Sequence, residues 1–303
     1  MHAYLIMAHN QWELLCILLK MLDDERNDIF IHINSKIQDV PFDELKKVNK
    51  RSRVIFTDRL PISWGDYSII LAELCLINTA LNSGGHYDYL HLISGQDLPI
   101  NSQDTIHAFF DEAINQKFNF INFHDPNKIP PEWYDRIGKY NFFTAGFRSS
   151  NLFVKKISKL SHKVLLIIQS LLNIDRISEY KKQGYIFNYG ATWFSITEEL
   201  AQYILNNQKF IEDVFCRYTF IPDEMFIQTL VFSSGFKDTL YIATEHGVQG
   251  NNNMRLIDWE RGRPYIWHAC DKNEIENSPM FFARKFDLNV DREIIEFIYN
   301  KYT

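Results

Sequence analysis

A chain of 303 residues, 46 % hydrophobic and 23 % charged, is long enough to bury a large core and excludes a disordered, collagen-like or coiled-coil protein. With 32 basic against 38 acidic side chains the net charge is −6, which leaves no overall electrostatic footprint for nucleic acid. Four cysteines, at positions 16, 75, 216 and 270, form no C-x-x-C pair and read as buried thiols in a reducing compartment. The start lacks a basic leader and no apolar run reaches the ~18 residues of a membrane span, so a cytoplasmic location is expected.

In chain order, residues 3–7 form a short apolar run bounded by His9-Asn10, and Leu14, Leu15, Leu18, Leu19 and Leu22 follow at helical spacing. Further apolar runs cover 29–33, 53–56 and 87–93. Between the last two, Ile70, Leu74, Ile77 and Leu81 keep a helix period behind Trp64-Gly65-Asp66-Tyr67-Ser68, with Ser68 the expected cap. Strands alternating with helices predict an α/β fold, a mostly parallel, Rossmann-like sheet flanked by helices.

The second half is less regular. Residues 125–150, with Pro130-Pro131 and six aromatics, read as a loop-rich connection. From 148 to 182 there are eight basic residues and two acidic ones. Lys155, Lys156, Lys159 and Lys163 lead into the nearly apolar stretch 164–174. This segment is either a basic amphipathic helix for an anionic membrane surface or a core helix with a solvated lysine face. Residues 185–187 and 192–196 read as late strands, Thr197 opens a helix, and another follows Pro222. With no linker or repeat, 1–303 reads as a single catalytic domain.

Absences narrow the chemistry: the P-loop, G-x-G-x-x-G, H-E-x-x-H and G-x-S-x-G signatures are all missing. In open α/β sheets ligands sit beyond the carboxyl ends of strands, which directs attention to His9-Asn10, Asn34-Ser35 and Ser94-Gly95-Gln96-Asp97. No Asp-x-Asp occurs anywhere, so no divalent metal is expected. Pro222-Asp223-Glu224 sets two carboxylates at a helix start, favoured there by the macrodipole alone or serving as a general base. Neighbouring helical residues diverge by about 100°, so at most one of the two faces a cleft. Arg255, Arg261 and Arg263 surround Asp258-Trp259-Glu260, and Arg284-Lys285 follows Phe281-Phe282-Ala283; such cations neutralise a departing diphosphate or simply form a basic surface. His86 and His91 read as structural. Glu132, Arg136 and Lys139 are further acceptor-side candidates.

The order Ala-His-Asn, Ile-His-Ile-Asn, Trp-Gly-Asp-Tyr-Ser, Leu-Ile-Ser-Gly-Gln-Asp-Leu-Pro-Ile, Pro-Asp-Glu and Phe-Ala-Arg-Lys-Phe-Asp resembles the core-2/I-branching β-1,6-N-acetylglucosaminyltransferase family (glycosyltransferase family 14), which also includes peptide O-xylosyltransferases. The resemblance covers 2–121, 189–232 and 254–290. It implies a GT-A-type nucleotide-sugar fold, with 1–121 the nucleotide-sugar-binding half and 122–303 the acceptor-binding and catalytic half. It also implies an inverting, metal-independent transfer of a hexose or pentose, with N-acetylglucosamine as one candidate, from a UDP-sugar to a glycan acceptor.

By motif the resemblance places Glu224 as catalytic base. It assigns His9, Asn34, Ser94, Arg263 and Lys285 to the donor, and Asp97 and Trp259 to the acceptor. Asn34 stands where the family usually has Asp, so one charge is missing from nucleotide recognition. The family's animal members carry a membrane anchor and many cysteines. Their absence here fits a bacterial enzyme at the inner face of the plasma membrane, acting on a lipid-linked glycan for surface polysaccharide, with 148–182 approaching the bilayer. A catalytically silent glycan- or nucleotide-binding protein is the competing expectation; a glycoside hydrolase lacks its second carboxylate.

Overall fold

The computed structural model describes residues 1–245 and 252–303. Its strands are β1 (His2–Ala8), β2 (Asn27–Ile33), β3 (Arg53–Phe56), β4 (Tyr89–Ser94), β5 (Asp97–Pro99), β6 (Phe120–Ile121), β7 (Phe194–Thr197), β8 (Arg255–Ile257) and β9 (Phe282–Arg284). The helices of the first half are α1 (Trp12–Met21), α2 (Phe42–Leu45), α3 (Ser68–Leu81) and α4 (Gln103–Ile114). They are followed by α5 (Pro131–Gly138), α6 (Leu152–Leu171), α7 (Ser178–Lys182), α8 (Glu198–Asn206), α9 (Gln208–Phe215), α10 (Phe226–Phe232), α11 (Lys272–Glu276) and α12 (Arg292–Tyr302).

The main sheet runs β3-β2-β1-β4-β7-β6. The first four strands are parallel, β7 pairs antiparallel with β4, and β6 antiparallel with β7. Side-chain alternation along β1 decides the layers. Tyr4, Ile6 and Ala8 join Leu14, Leu15, Leu18 and Leu19 of α1 in one core, while Ala3 and Leu5 join Ile70, Leu74 and Ile77 of α3 in the other. Burial on both faces is why β1 and β2 read as continuous apolar runs. This is the expected α/β architecture, a mostly parallel sheet flanked by helices. Because β7 comes from the second half, both halves share one sheet.

A second sheet, β5-β9-β8, gathers residues 97–99, 282–284 and 255–257 beside the end of β4. The β4–β5 turn lies against the end of β1: Gly95 N–H donates to Met7 O at 3.0 Å. A Cβ on Gly95 would come within 3.2 Å of the Ala8 Cβ, so a glycine suits this approach.

Several expectations need correction. Residues 185–187 form no strand; Tyr185 stacks on Phe210 at 4.3 Å and Ile186 N–H donates to Ser233 Oγ, so ring packing replaces a ladder. Inside 125–150, α5 starts on Pro131, whose fixed φ suits a first helical turn. The carboxylate of Asp66, not Ser68 itself, caps α3 by accepting from Ser68 N–H at 2.9 Å. The cysteines are not buried: Cys16, Cys75 and Cys216 are half-buried and Cys270 is exposed. The core-helix reading of 148–182 also fails, since Gln169 is the buried residue of α6. No described helix is long and apolar enough to cross a membrane.

Candidate functional site

The carboxyl ends of β1, β4 and β9 converge on a cluster of cations. Asp97, buried at the start of β5, accepts from Ser94 N–H and Ser94 Oγ, each at 2.8 Å, and from Arg284 Nη1 at 2.7 Å. Arg284 also donates to Ser94 Oγ and lies 4.3 Å from the centre of the Trp193 ring. Asp97 and Ser94 therefore fix a guanidinium in place.

The next residue, Lys285, is half-buried, and no hydrogen bond or ion pair engages its ammonium among the described residues. Burial, then Arg284, pushes its pKa below the usual lysine range; Asp287 and Asp97 oppose this and Arg148 adds to it. His9, just past β1, is lowered by partial desolvation and then by Lys285 and Arg284. Arg148, from the turn before α6, stacks 3.8 Å from the centre of the Trp64 ring. Fixed positive charge brought together from residues 148, 284 and 285 suits a polyanion such as a diphosphate.

Glu224 forms the other pole. Pro222–Glu224 is a single 3₁₀ turn, reached through Ile221, whose N–H donates to Gly65 O at 2.9 Å. The Glu224 carboxylate, about a quarter exposed, accepts from Arg136 Nη1 at 2.6 Å. Arg136 in turn lies 5.0 Å from the Tyr189 ring centre. Burial, then the Glu224 charge, pushes the Tyr189 hydroxyl up to about 12.

Asp223 points the other way. It is buried, accepts from Thr192 Oγ1 at 2.9 Å, and is raised to about 7 by burial and then by Glu224. Behind it Glu73 of α3 is fully buried with no partner for either oxygen among the described residues, and its pKa rises through burial and Asp223. One carboxylate faces the cleft and its neighbour faces the core, as the spacing requires.

Residues 189–193 tie the two poles together. Gly190 N–H donates to Glu224 O at 2.9 Å, Thr192 holds Asp223, and Trp193 lies against Arg284. A Cβ on Gly190 would sit 1.9 Å from Asn122 O, so no other residue fits. A second link runs from Trp64, under Arg148, to Phe220 at 5.7 Å, two residues before Pro222.

The remaining sequence candidates separate. Asn34 spends its amide on the loop before Trp64: Nδ2 donates to Ile62 O, and Oδ1 accepts from Ile62 N–H and Lys36 N–H, each at 3.1 Å. Arg255 is buried, bonds Phe194 O and Ser195 Oγ, and is lowered to about 9, chiefly by burial. Arg261 is occupied by Asp258, Asp271 and Glu274. Arg263 is exposed and unpaired among the described residues, and Trp259, four positions earlier, is exposed as well.

Glu132 is exposed, while Lys139 pairs with Asp135. His91 is buried between Ser195 and His2, and His86 is exposed beside Glu198. Sequence spacing did not single out Arg148, Tyr189 or Trp193. Tyr189 and Trp193 lie outside any helix or strand and Arg148 ends a 3₁₀ turn, so no period marked them.

The Core-2/I-Branching enzyme family model matches residues 2–281. Xylosyltransferase 2 of Canis lupus familiaris is 22 % identical over 323 aligned residues, covering 98 % of this chain and 33 % of that protein. A xylosyltransferase of Ciona intestinalis is 22 % identical, covering 92 % and 31 %. The chain thus spans about a third of the length of these curated relatives. The apo crystal structure of mouse xyloside xylosyltransferase 1 superposes with a TM-score of 0.40 at 9 % identity, over 93 % of this chain and 96 % of that one. With nearly all of its length matched by one family model, the chain belongs to the Core-2/I-Branching enzyme family.

Proposed function

We propose that this protein is an inverting glycosyltransferase that moves a sugar from a UDP-sugar to a hydroxyl of a glycan acceptor without a divalent metal. The observation that carries the reading is a partly open carboxylate, Glu224, joined through residues 189–193 to a wall of fixed cations ending in Lys285. Arg136 and Tyr189 direct the carboxylate. Glu224 takes the proton of the acceptor hydroxyl as that oxygen attacks the anomeric carbon on the face opposite the nucleotide. The bond to the diphosphate breaks and configuration inverts. Lys285, with Arg284 behind it and the exposed Arg263 as the further cation, neutralises the leaving diphosphate.

The relatives named xylosyltransferase and the family name together make UDP-xylose and UDP-N-acetylglucosamine the two donors to compare. UDP release is measured with each, with and without EDTA, for the wild type and Glu224→Gln. The expected result is EDTA-insensitive turnover that falls ~10²–10⁴-fold in the variant while donor binding persists. Unchanged turnover in Glu224→Gln would overturn the role of Glu224, and loss of turnover in EDTA would overturn metal independence. A wild type that binds donor without turnover would be a silent binding protein.

A further inference from the structure

Helix α6 is mounted with its apolar side outward. Phe153, Ile157, Leu160, Val164, Ile167, Ile168 and Leu171 recur at three- and four-residue spacing and all are exposed, Phe153 at 71 %, Leu160 at 65 % and Leu171 at 77 %. A surface helix normally turns such a stripe toward the core. Here the polar side packs on the protein instead: His162 bonds Phe142 O at 3.0 Å, and Gln169 bonds Tyr140 N–H at 2.7 Å and Tyr140 O at 3.0 Å. Twenty residues make a strip about 30 Å long. A contiguous exposed apolar strip of this size marks an interaction surface.

Charge selects the occupant. Lys156, Lys159 and Lys163 run along one edge of the strip, and Leu152–Leu171 contains no acidic residue. A second copy docked antiparallel through the strip would set lysine against lysine. An anionic bilayer offers both halves of the match, acyl chains for the strip and phosphates for ammonium groups on flexible stems. The exposed Phe143 lies in the connection that packs against α6. The cleft is near at hand, since Phe147 contacts both His162 of α6 and Phe220, and Arg148 stacks on Trp64.

We propose that α6 is a membrane-docking helix that lays its apolar strip into an anionic lipid surface and brings the Trp64–Arg148 side of the cleft to the bilayer. The inference is independent of which sugar is moved, or whether one is. It is tested on the full chain by co-sedimentation with vesicles of phosphatidylcholine containing about a third phosphatidylglycerol, beside pure phosphatidylcholine. The variants are Leu160→Glu/Ile167→Glu and Lys156→Glu/Lys159→Glu/Lys163→Glu, all at exposed positions, with circular dichroism and melting as fold controls.

Binding to the anionic vesicles at low salt is expected, roughly tenfold or more weaker in either variant and on neutral lipid. A wild type that stays in solution with anionic vesicles overturns the proposal, as does equal binding by the variants. So does light scattering that shows a dimer which Leu160→Glu/Ile167→Glu dissociates, with no vesicle binding by the wild type.

Discussion

Asp97 and Asp223 are both buried carboxylates flanking one cleft, yet their surroundings are opposite. Asp97 has three donors, one of them the Arg284 guanidinium. Asp223 has one hydroxyl, an Oδ1 without a partner beyond its own residue among the described residues, and the acidic Glu73 behind it. A buried charge is tolerated when hydrogen bonds and an opposite charge surround it, and otherwise the group holds its proton. The Asp97 side is thus held together by hydrogen bonds and an ion pair. The wall behind Glu224 is built from carboxyls that fold best protonated.

The contrast breaks most visibly at Asp97. Asp97→Ala leaves Arg284 half-buried without its carboxylate, and a stability loss of about 3–5 kcal/mol is expected, read by denaturant unfolding. Next comes Lys285→Ala. Because the ammonium makes no hydrogen bond among the described residues, the melting temperature should hold while turnover falls on the order of 10²–10³; an unaltered rate would remove Lys285 from the leaving-group role.

The smallest effect sharpens the other side. With Asp223 raised from 3.8 to about 7, the native state binds the proton more tightly than the unfolded chain. Stability is therefore greatest below about pH 4 as far as this group is concerned, and declines as pH rises from about 4 to about 7. Glu73, also raised, acts in the same direction. Asp223→Asn should flatten that decline by a few kcal/mol at most, seen as a smaller drop in melting temperature between pH 5 and pH 8 than in the wild type.

The first half was legible because its strands are buried on both faces and its helices carry a clean 3.6-residue stripe, so Ile6, Leu15 and Ile70 announce their layers. Residues 185–187 misled because Tyr185 and Phe187 have strand composition but pack through their rings, Tyr185 on Phe210 and Phe187 in the core, and not through a ladder. In α6 the period was readable and the facing was not: a stripe reports a helix, and only the surroundings decide which way it turns. Glu224 was reachable through its motif, whereas its partner Arg136 sits 88 positions away in a segment without a repeating pattern. The cation cluster joins residues 148, 284 and 285, with His9 beside them, a grouping that no sequence spacing announces.

The five residues from Tyr189 to Trp193 act as a caliper. Fully extended they reach at most about 18 Å, and they grip the Pro222–Glu224 turn at one jaw and the Arg284 guanidinium at the other. The gap between Glu224 and Arg284 is therefore gauged by covalent chain length. Outer loops can shift around it without changing that measure.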